Sequence, residues 1–242
     1  MNINKKIWIY GKHAVIAALL NKNRKIYKAL ISPEAYKQIE SLLKNRKTPT
    51  SFTTNKELDY LFKNAAHQGV ALEASPIFQH TLTNISDVFK KKHSLIVILD
   101  QLTDPQNVGN IIRSAHAFNA DAILTSKNHS FSETSALTKA ACGAIDNVPV
   151  IFITNLISTI KKLKNDGYWI AGLDSKATEH IHKFKFASKT VVVLGAEGSG
   201  LRDLTRKNCD FLLKIAMHET ADSINASNAC AIAMHNYFTR EL

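Results

Sequence analysis

From Ser94 onward, short apolar runs alternate with stretches in which apolar residues recur at helical spacing. The runs 95–100, 122–125, 148–153, 169–172, 191–194 and 211–215 read as strands, because short segments rich in β-branched residues suit a buried pleated surface. Residues 108–119, 135–143, 155–166 and 224–239 read as helices, and a short helix is expected from Leu201. Strands alternating with helices predict a mostly parallel sheet with helices on both faces.

The first third is patterned differently. Residues 14–20 read as a helix ended by Asn21-Lys22-Asn23, and 26–31 alternate like a strand. Ser32-Pro33 opens a helix over 33–45, a strand is expected over 50–54, a helix over 55–64 and a strand over 70–74. Periodicity is lost after Pro76, and the stretch ending in Lys90-Lys91-Lys92 reads as a linker with one short helix. The expected organisation is therefore a domain at 1–75, a linker at 76–93 and a domain at 94–242.

Composition is ordinary except in its charge. The 242 residues suffice for one large or two ordinary domains, and no apolar run approaches the roughly 20 residues that span a membrane. Lys5 and Lys6 precede an apolar stretch, but Gly11-Lys12-His13 breaks it and no cleavage site follows, so a signal peptide is not expected. Cys142, Cys209 and Cys230 are odd in number and share no metal spacing, which suggests buried thiols in a reducing cytoplasm. The charge is the departure: a net +11 points to a polyanionic partner, nucleic acid first. Residues 1–75 hold thirteen Lys and Arg against five Asp and Glu, so most of the surplus sits there. It forms either a stripe of phosphate contacts or a solvated basic face.

Three motifs carry candidate chemistry. In the first, Asp100-Gln-Leu-Thr-Asp104-Pro105-Gln-Asn107 turns from a strand into a helix, with Asn107 as the expected N-cap and Arg113 six residues on. Backbone N–H groups and a guanidinium at a helix start suit a phosphate; a plain cap and a surface ion pair are the alternatives. The second runs from the strand ending at Leu194 through Gly195-Ala196-Glu197-Gly198-Ser199-Gly200. Glycine lets a ligand approach the main chain closely, and open α/β sheets bind ligands at such strand ends. The alternative is a tight connection with Glu197 solvated or capping the next helix. Neither a dinucleotide fingerprint nor a phosphate-loop sequence is present. In the third, Ile215 through Ala229 leads from a strand into a polar loop and a helix, with Asp222 or Ser223 as N-cap and Asn225 idle in the plainest reading. The ten histidines show no metal-ligand spacing.

Together these motifs resemble the SpoU (TrmH-like) 2′-O-ribose RNA methyltransferases. The stretches IYGKHAVIAALL, AAHQGVAL, ILDQLTDPQNVGNIIRSAHAF, ACGAIDNVPV and VVVLGAEGSGLRDLTRKNCD look like the branch that methylates a guanosine of 23S ribosomal RNA. The resemblance implies a C-terminal SPOUT α/β domain closed by a C-terminal trefoil knot, and a small N-terminal α/β RNA-binding domain of ribosomal-protein (L30e-like) type. It implies S-adenosylmethionine as methyl donor, no metal, a cytoplasmic homodimer and ribosomal RNA as substrate. Cofactor contacts are expected at Leu194, Gly195, Gly200, Ile215, Met217, Ile224, Asn225 and Ala226, and active-site positions at Asn107, Arg113, Glu197, Ser223 and Asn225. Ala216, Glu219, Ala226 and Asn228 depart from the family's usual residues, which puts the geometry of the cofactor loop in question rather than the chemistry. A tRNA ribose methyltransferase of the same fold and a non-catalytic RNA-binding ribosome-assembly factor are the alternatives.

Overall fold

The computed structural model describes residues 6–63, 65–78, 87–127 and 131–240. Lys5 of the basic block and residues 79–86 of the expected linker lie outside them. The chain divides into two compact units, Met1–Ile77 with Ser132–Asn147, and Phe78–Phe131 with Val148–Leu242.

The first unit opens with β1 (Ile7–Tyr10), α1 (Lys12–Leu20), β2 (Ile26–Ile31), α2 (Pro33–Asn45), β3 (Thr50–Phe52), α3 (Asn55–Leu61) and β4 (Val70–Ala74). Its sheet runs in the order β1-β4-β2-β3, with β4 antiparallel to both neighbours and β3 a parallel edge strand. The expected strand over 50–54 is cut to three residues because Thr54 leaves the strand to cap α3, accepting from Glu57 N–H while Glu57 reaches back to the Thr54 N–H. β1 is not among the expected strands, although Ile7-Trp8-Ile9-Tyr10 is β-branched and aromatic throughout; it pairs antiparallel with β4. Ile9, Val15, Leu19, Ile31, Ile39, Leu43 and Leu72 form the core.

The second unit carries β5 (Ser94–Leu99), α4 (Pro105–Ala117), β6 (Ala122–Ser126), β7 (Val150–Ile153), α6 (Leu156–Asn165), β8 (Trp169–Leu173), β9 (Glu179–His180), β10 (Lys189–Leu194), α7 (Asp203–Lys207), β11 (Phe211–Lys214) and α8 (Ala226–Phe238); α5 (Ser135–Ala141) belongs to the first unit. Among the described residues the sheet order is β7-β6-β5-β10-β8-β11-β9, parallel throughout. Val191 and Val193 pack with Ile96, Ile98 and Ile170 against Ile160 and Leu163 of α6. Val192 alternates to the opposite face, and α8 packs against both α4 and β10.

Two helix starts differ from expectation. α4 begins at Pro105, not near Val108, and its cap is Asp104, whose Oδ2 accepts from Asn107 N–H at 2.7 Å. Proline at the first helical position gives up a donor that has no intrahelical partner anyway, so the helix reaches back to it. α8 begins at Ala226 and is capped by Asn225, not by Asp222 or Ser223. The cysteines also differ. Cys230 is buried, Cys209 half-buried and Cys142 exposed. Cys142 ends α5 in the left-handed conformation, which turns it out of the helix's packed face.

Residues 132–147 fold onto the first unit around one buried guanidinium. Arg24 is only 1% exposed. Its Nη1 lies 2.8 Å from Glu133 Oε1 and its Nε 2.6 Å from Asp146 Oδ1. It also donates to Ser75 O at 2.9 Å, and Ile77 N–H donates to the other Glu133 oxygen at 2.6 Å. Burial raises the Glu133 carboxyl above the usual carboxylate range, with Arg24 opposing the rise.

Candidate active site

The loop after β10 is folded tightly on itself. Ala196 N–H donates to Gly200 O at 3.1 Å and Gly200 N–H to Ala196 O at 2.9 Å. A Cβ on Gly195 would stand 2.1 Å from the Gly200 carbonyl carbon and 2.3 Å from Leu201 N. The chain's own backbone therefore demands glycine there, independently of any ligand. Asp100, fully buried, ties both ends of the loop together. Its N–H donates to Leu194 O at 2.8 Å, its Oδ2 accepts from Thr205 Oγ1 at 2.6 Å, and Arg202 lies 2.7 Å from its Oδ1.

At the carboxyl ends of β8, β10 and β11 this loop walls a cavity of about 450 Å³. All eight residues expected at the cofactor line it, namely Leu194, Gly195, Gly200, Ile215, Met217, Ile224, Asn225 and Ala226, together with Glu197 and Ser223. Sequence reasoning missed Leu173, Asp174 and Leu213 in the same wall. The signal that could have found them is position alone, since they end or follow neighbouring parallel strands. Asp174 is held in place by Arg206 at 3.2 Å and by the Lys176 N–H at 2.9 Å.

A directed chain of side chains crosses the cavity rim. Asn107, on the first turn of α4 and 7% exposed, donates its Nδ2–H to Glu197 Oε1. Asn225 Nδ2–H donates to Asn107 Oδ1 at 2.8 Å. Asn225 Oδ1 in turn accepts from the N–H and hydroxyl of Ser227, at 2.8 and 2.6 Å. A carboxylate only accepts and a backbone N–H only donates, so the two ends fix which way both amides face. Asn107 is thus a linking residue rather than a cap, and Asn225 is far from idle.

Arg113 stands apart. Six residues beyond Asn107 it lies about 120° around the helix and roughly 9 Å along it. Its side chain is exposed, and it does not line the cavity. Burial pushes the Cys209 and Cys230 thiols up to about 12, so neither serves as a thiolate nucleophile. Among the described residues no three His, Cys, Asp or Glu side chains gather as they would for a metal ion.

Residues 94–235 match the model of the SpoU rRNA Methylase family, and residues 8–79 match that described as RNA 2'-O ribose methyltransferase substrate binding. A Staphylococcus epidermidis protein placed by name in the TrmH family of tRNA/rRNA methyltransferases is 37% identical, over 97% of this chain and 96% of its own. The 23S rRNA (guanosine-2'-O-)-methyltransferase RlmB of Vibrio vulnificus is 35% identical over 94% of each chain. Among solved structures, the SpoU methyltransferase AviRb from Streptomyces viridochromogenes, in complex with the cofactor AdoMet, shares the fold with a TM-score of 0.78 at 21% identity, over 96% of this chain and 89% of its own.

Proposed function

The chain belongs to the SpoU rRNA Methylase family, and from that premise we propose that it transfers a methyl group from S-adenosylmethionine to a ribose 2′-hydroxyl of RNA, the target being a guanosine of 23S ribosomal RNA. The observation that carries this reading is the Glu197–Asn107–Asn225 chain on the rim of the strand-end cavity. The donor set fits the cofactor: Leu194, Leu213, Ile215 and Met217 offer apolar walls, Asp174 a polar partner, and the volume lies in the range of small-molecule sites. When bound, S-adenosylmethionine supplies an activated methyl group.

The protein's residues then have to hold a ribose and dispose of its hydroxyl proton. A guanidinium does not act as a base in proteins, so Arg113 binds a phosphate of the target and stabilises the developing oxyanion, with the proton leaving toward that phosphate. Glu197, oriented by Asn107, faces the ribose, and Ser223 and Asn225 hold the loop. Because Arg113 lies away from the cavity of its own chain, we assign it to the cavity of a second copy, in a homodimer with composite sites. We place the site of action in the cytoplasm. The 35% identity to the Vibrio vulnificus protein supports the 23S guanosine as the target.

The test is to map 2′-O-methyl positions in ribosomal RNA and tRNA from cells with and without the gene. Loss of one guanosine methylation in 23S RNA supports the reading; a lost tRNA site moves the substrate, and no lost site refutes enzymatic action on either RNA.

A further inference from the structure

The first unit carries a second cleft, unrelated to the cavity above. It lies between the edge strand β3 and helix α3, is about 470 Å³, and is walled by Phe52, Lys56, Glu57, Tyr60 and Leu61. Its apolar side chains are unusually bare: Tyr60 is 87% exposed, Phe52 62% and Leu61 54%. The core of this unit is complete without them, so their placement needs another explanation.

The rings are presented as firm surfaces. Phe52 packs against Tyr36 in a T-shaped contact with centroids 5.0 Å apart, which fixes the ring while leaving much of it open. Tyr60 stands one helical turn after Lys56, so an aromatic ring and an ammonium share one face of α3. The cleft's carboxylate is already engaged: Glu57 accepts from Thr53 Oγ1 at 2.6 Å and from Thr54 N–H at 2.8 Å. A neighbouring cleft that shares Phe52 and Glu57 is lined by Pro33, Glu34, Thr54 and Asn55.

We infer that the Phe52–Tyr60 cleft seats an unpaired base of the substrate RNA, stacked on the exposed rings, while Lys56 meets the adjoining phosphate. The inference rests on the reading that RNA is the substrate and deepens it by naming where single-stranded RNA is gripped. The cleft's own walls hold Lys56 against Glu57, with Glu34 in the adjoining cleft. The occupant is selected over a protein surface by the unit around it, since residues 1–75 carry thirteen Lys and Arg against five Asp and Glu, a balance that attracts a polyanion and repels a second copy of the same unit. Stacking on aromatic faces beside a cation is how single strands are held without reading of base edges. A duplex keeps its bases stacked on each other and offers none to the cleft.

The experiment uses the full-length protein with a short single-stranded RNA of mixed sequence and a duplex of the same sequence, followed by fluorescence anisotropy over a range of salt. The double variant Phe52→Ala/Tyr60→Ala should bind the single strand roughly tenfold or more weakly, with an unchanged salt slope because no phosphate contact is lost. Duplex binding should be unaffected, and Phe52→Ala/Tyr60→Phe should recover part of the single-strand affinity. In methyl transfer the double variant should raise KM for RNA and keep kcat. Both side chains are exposed, so the fold should survive, which circular dichroism checks. Unchanged single-strand affinity, equal loss on the duplex, or a changed oligomeric state would overturn the inference. Failure of the wild type to bind either RNA would instead remove the substrate reading beneath it.

Discussion

Asn225 hands a hydrogen bond to Asn107 at 2.8 Å across 118 residues of sequence. Through it the start of α8 is tied to the start of α4, and through Asn107 to the glycine loop that carries Glu197. Three separate motifs thereby become one object with a fixed donor–acceptor direction.

That direction makes the effects of substitution unequal. Asn225→Ala removes the donor to Asn107 and the cap of α8, and should lower kcat/KM about a hundredfold and stability by about 1 kcal/mol. Ser227→Ala removes only the hydroxyl, while the Ser227 N–H stays on Asn225 Oδ1 at 2.8 Å. It should cost less than about 1 kcal/mol and leave activity within a few-fold. Steady-state methyl transfer and chemical denaturation decide the matter; equal losses in both variants would show that the amide chain has no directional role.

The glycine loop gives a second contrast. Gly195→Ala places a Cβ against the Gly200 backbone and should destabilise the protein by about 3 kcal/mol and abolish S-adenosylmethionine binding. At Gly198 a Cβ has open space but φ is +79°, so Gly198→Ala should cost only about 1 kcal/mol and still bind the cofactor. Isothermal calorimetry and thermal unfolding read both quantities. A Gly195→Ala protein with native stability would mean that the loop opens freely.

The composite site is tested by mixing. Arg113→Ala and Asn225→Ala should each be nearly inactive as purified dimers. After subunit exchange half the molecules would be heterodimers with one intact site of two, so activity should return to about a quarter of wild type. If exchange is proven and nothing returns, Arg113 serves its own chain.

Arg24 predicts a pH dependence. Glu133 is held above the usual carboxylate range by burial, so the folded state keeps its proton at a pH where the unfolded chain has lost it. The stability this group contributes is therefore present at low pH and falls as pH rises from the ordinary value through the folded one. Arg24→Met removes the largest opposing influence and moves Glu133 further up. Its deficit should be about 3 to 5 kcal/mol near neutral pH and smaller near about pH 5, where the orphaned carboxyl takes a proton. Denaturant titrations at the two pH values give the comparison, and a deficit that does not vary with pH would refute the account. A fragment of residues 94–242 retains Glu133 and Asp146 without Arg24, and should share the defect.

Local pattern along the chain established the alternation of strand and helix, the basic first third and the glycine-rich strand end; the family resemblance added eight residues of the cavity wall, without Leu173, Asp174 and Leu213. The patterned features are local: periodicity follows from backbone geometry, and a glycine-rich strand end announces itself within ten residues. The tertiary structure decided what each polar residue does. Asn107 looked like a helix cap because Asn caps helices well, but Asp104 took that role and freed its amide for partners ninety and more residues away. At Gly195 the fold adds a demand of its own, because Gly200 is brought against it. Arg24 is one of the thirteen basic residues of the first third, and only the fold sets it apart: residues 132–147, from the middle of the second patterned region, close over it with two carboxylates. For Asn107 and Arg24 the deciding partners are distant in sequence, whereas for Gly195 the deciding neighbour is Gly200 in the same closed loop. A hydrogen bond or ion pair has no periodicity along the chain, so only the folded arrangement could assign it.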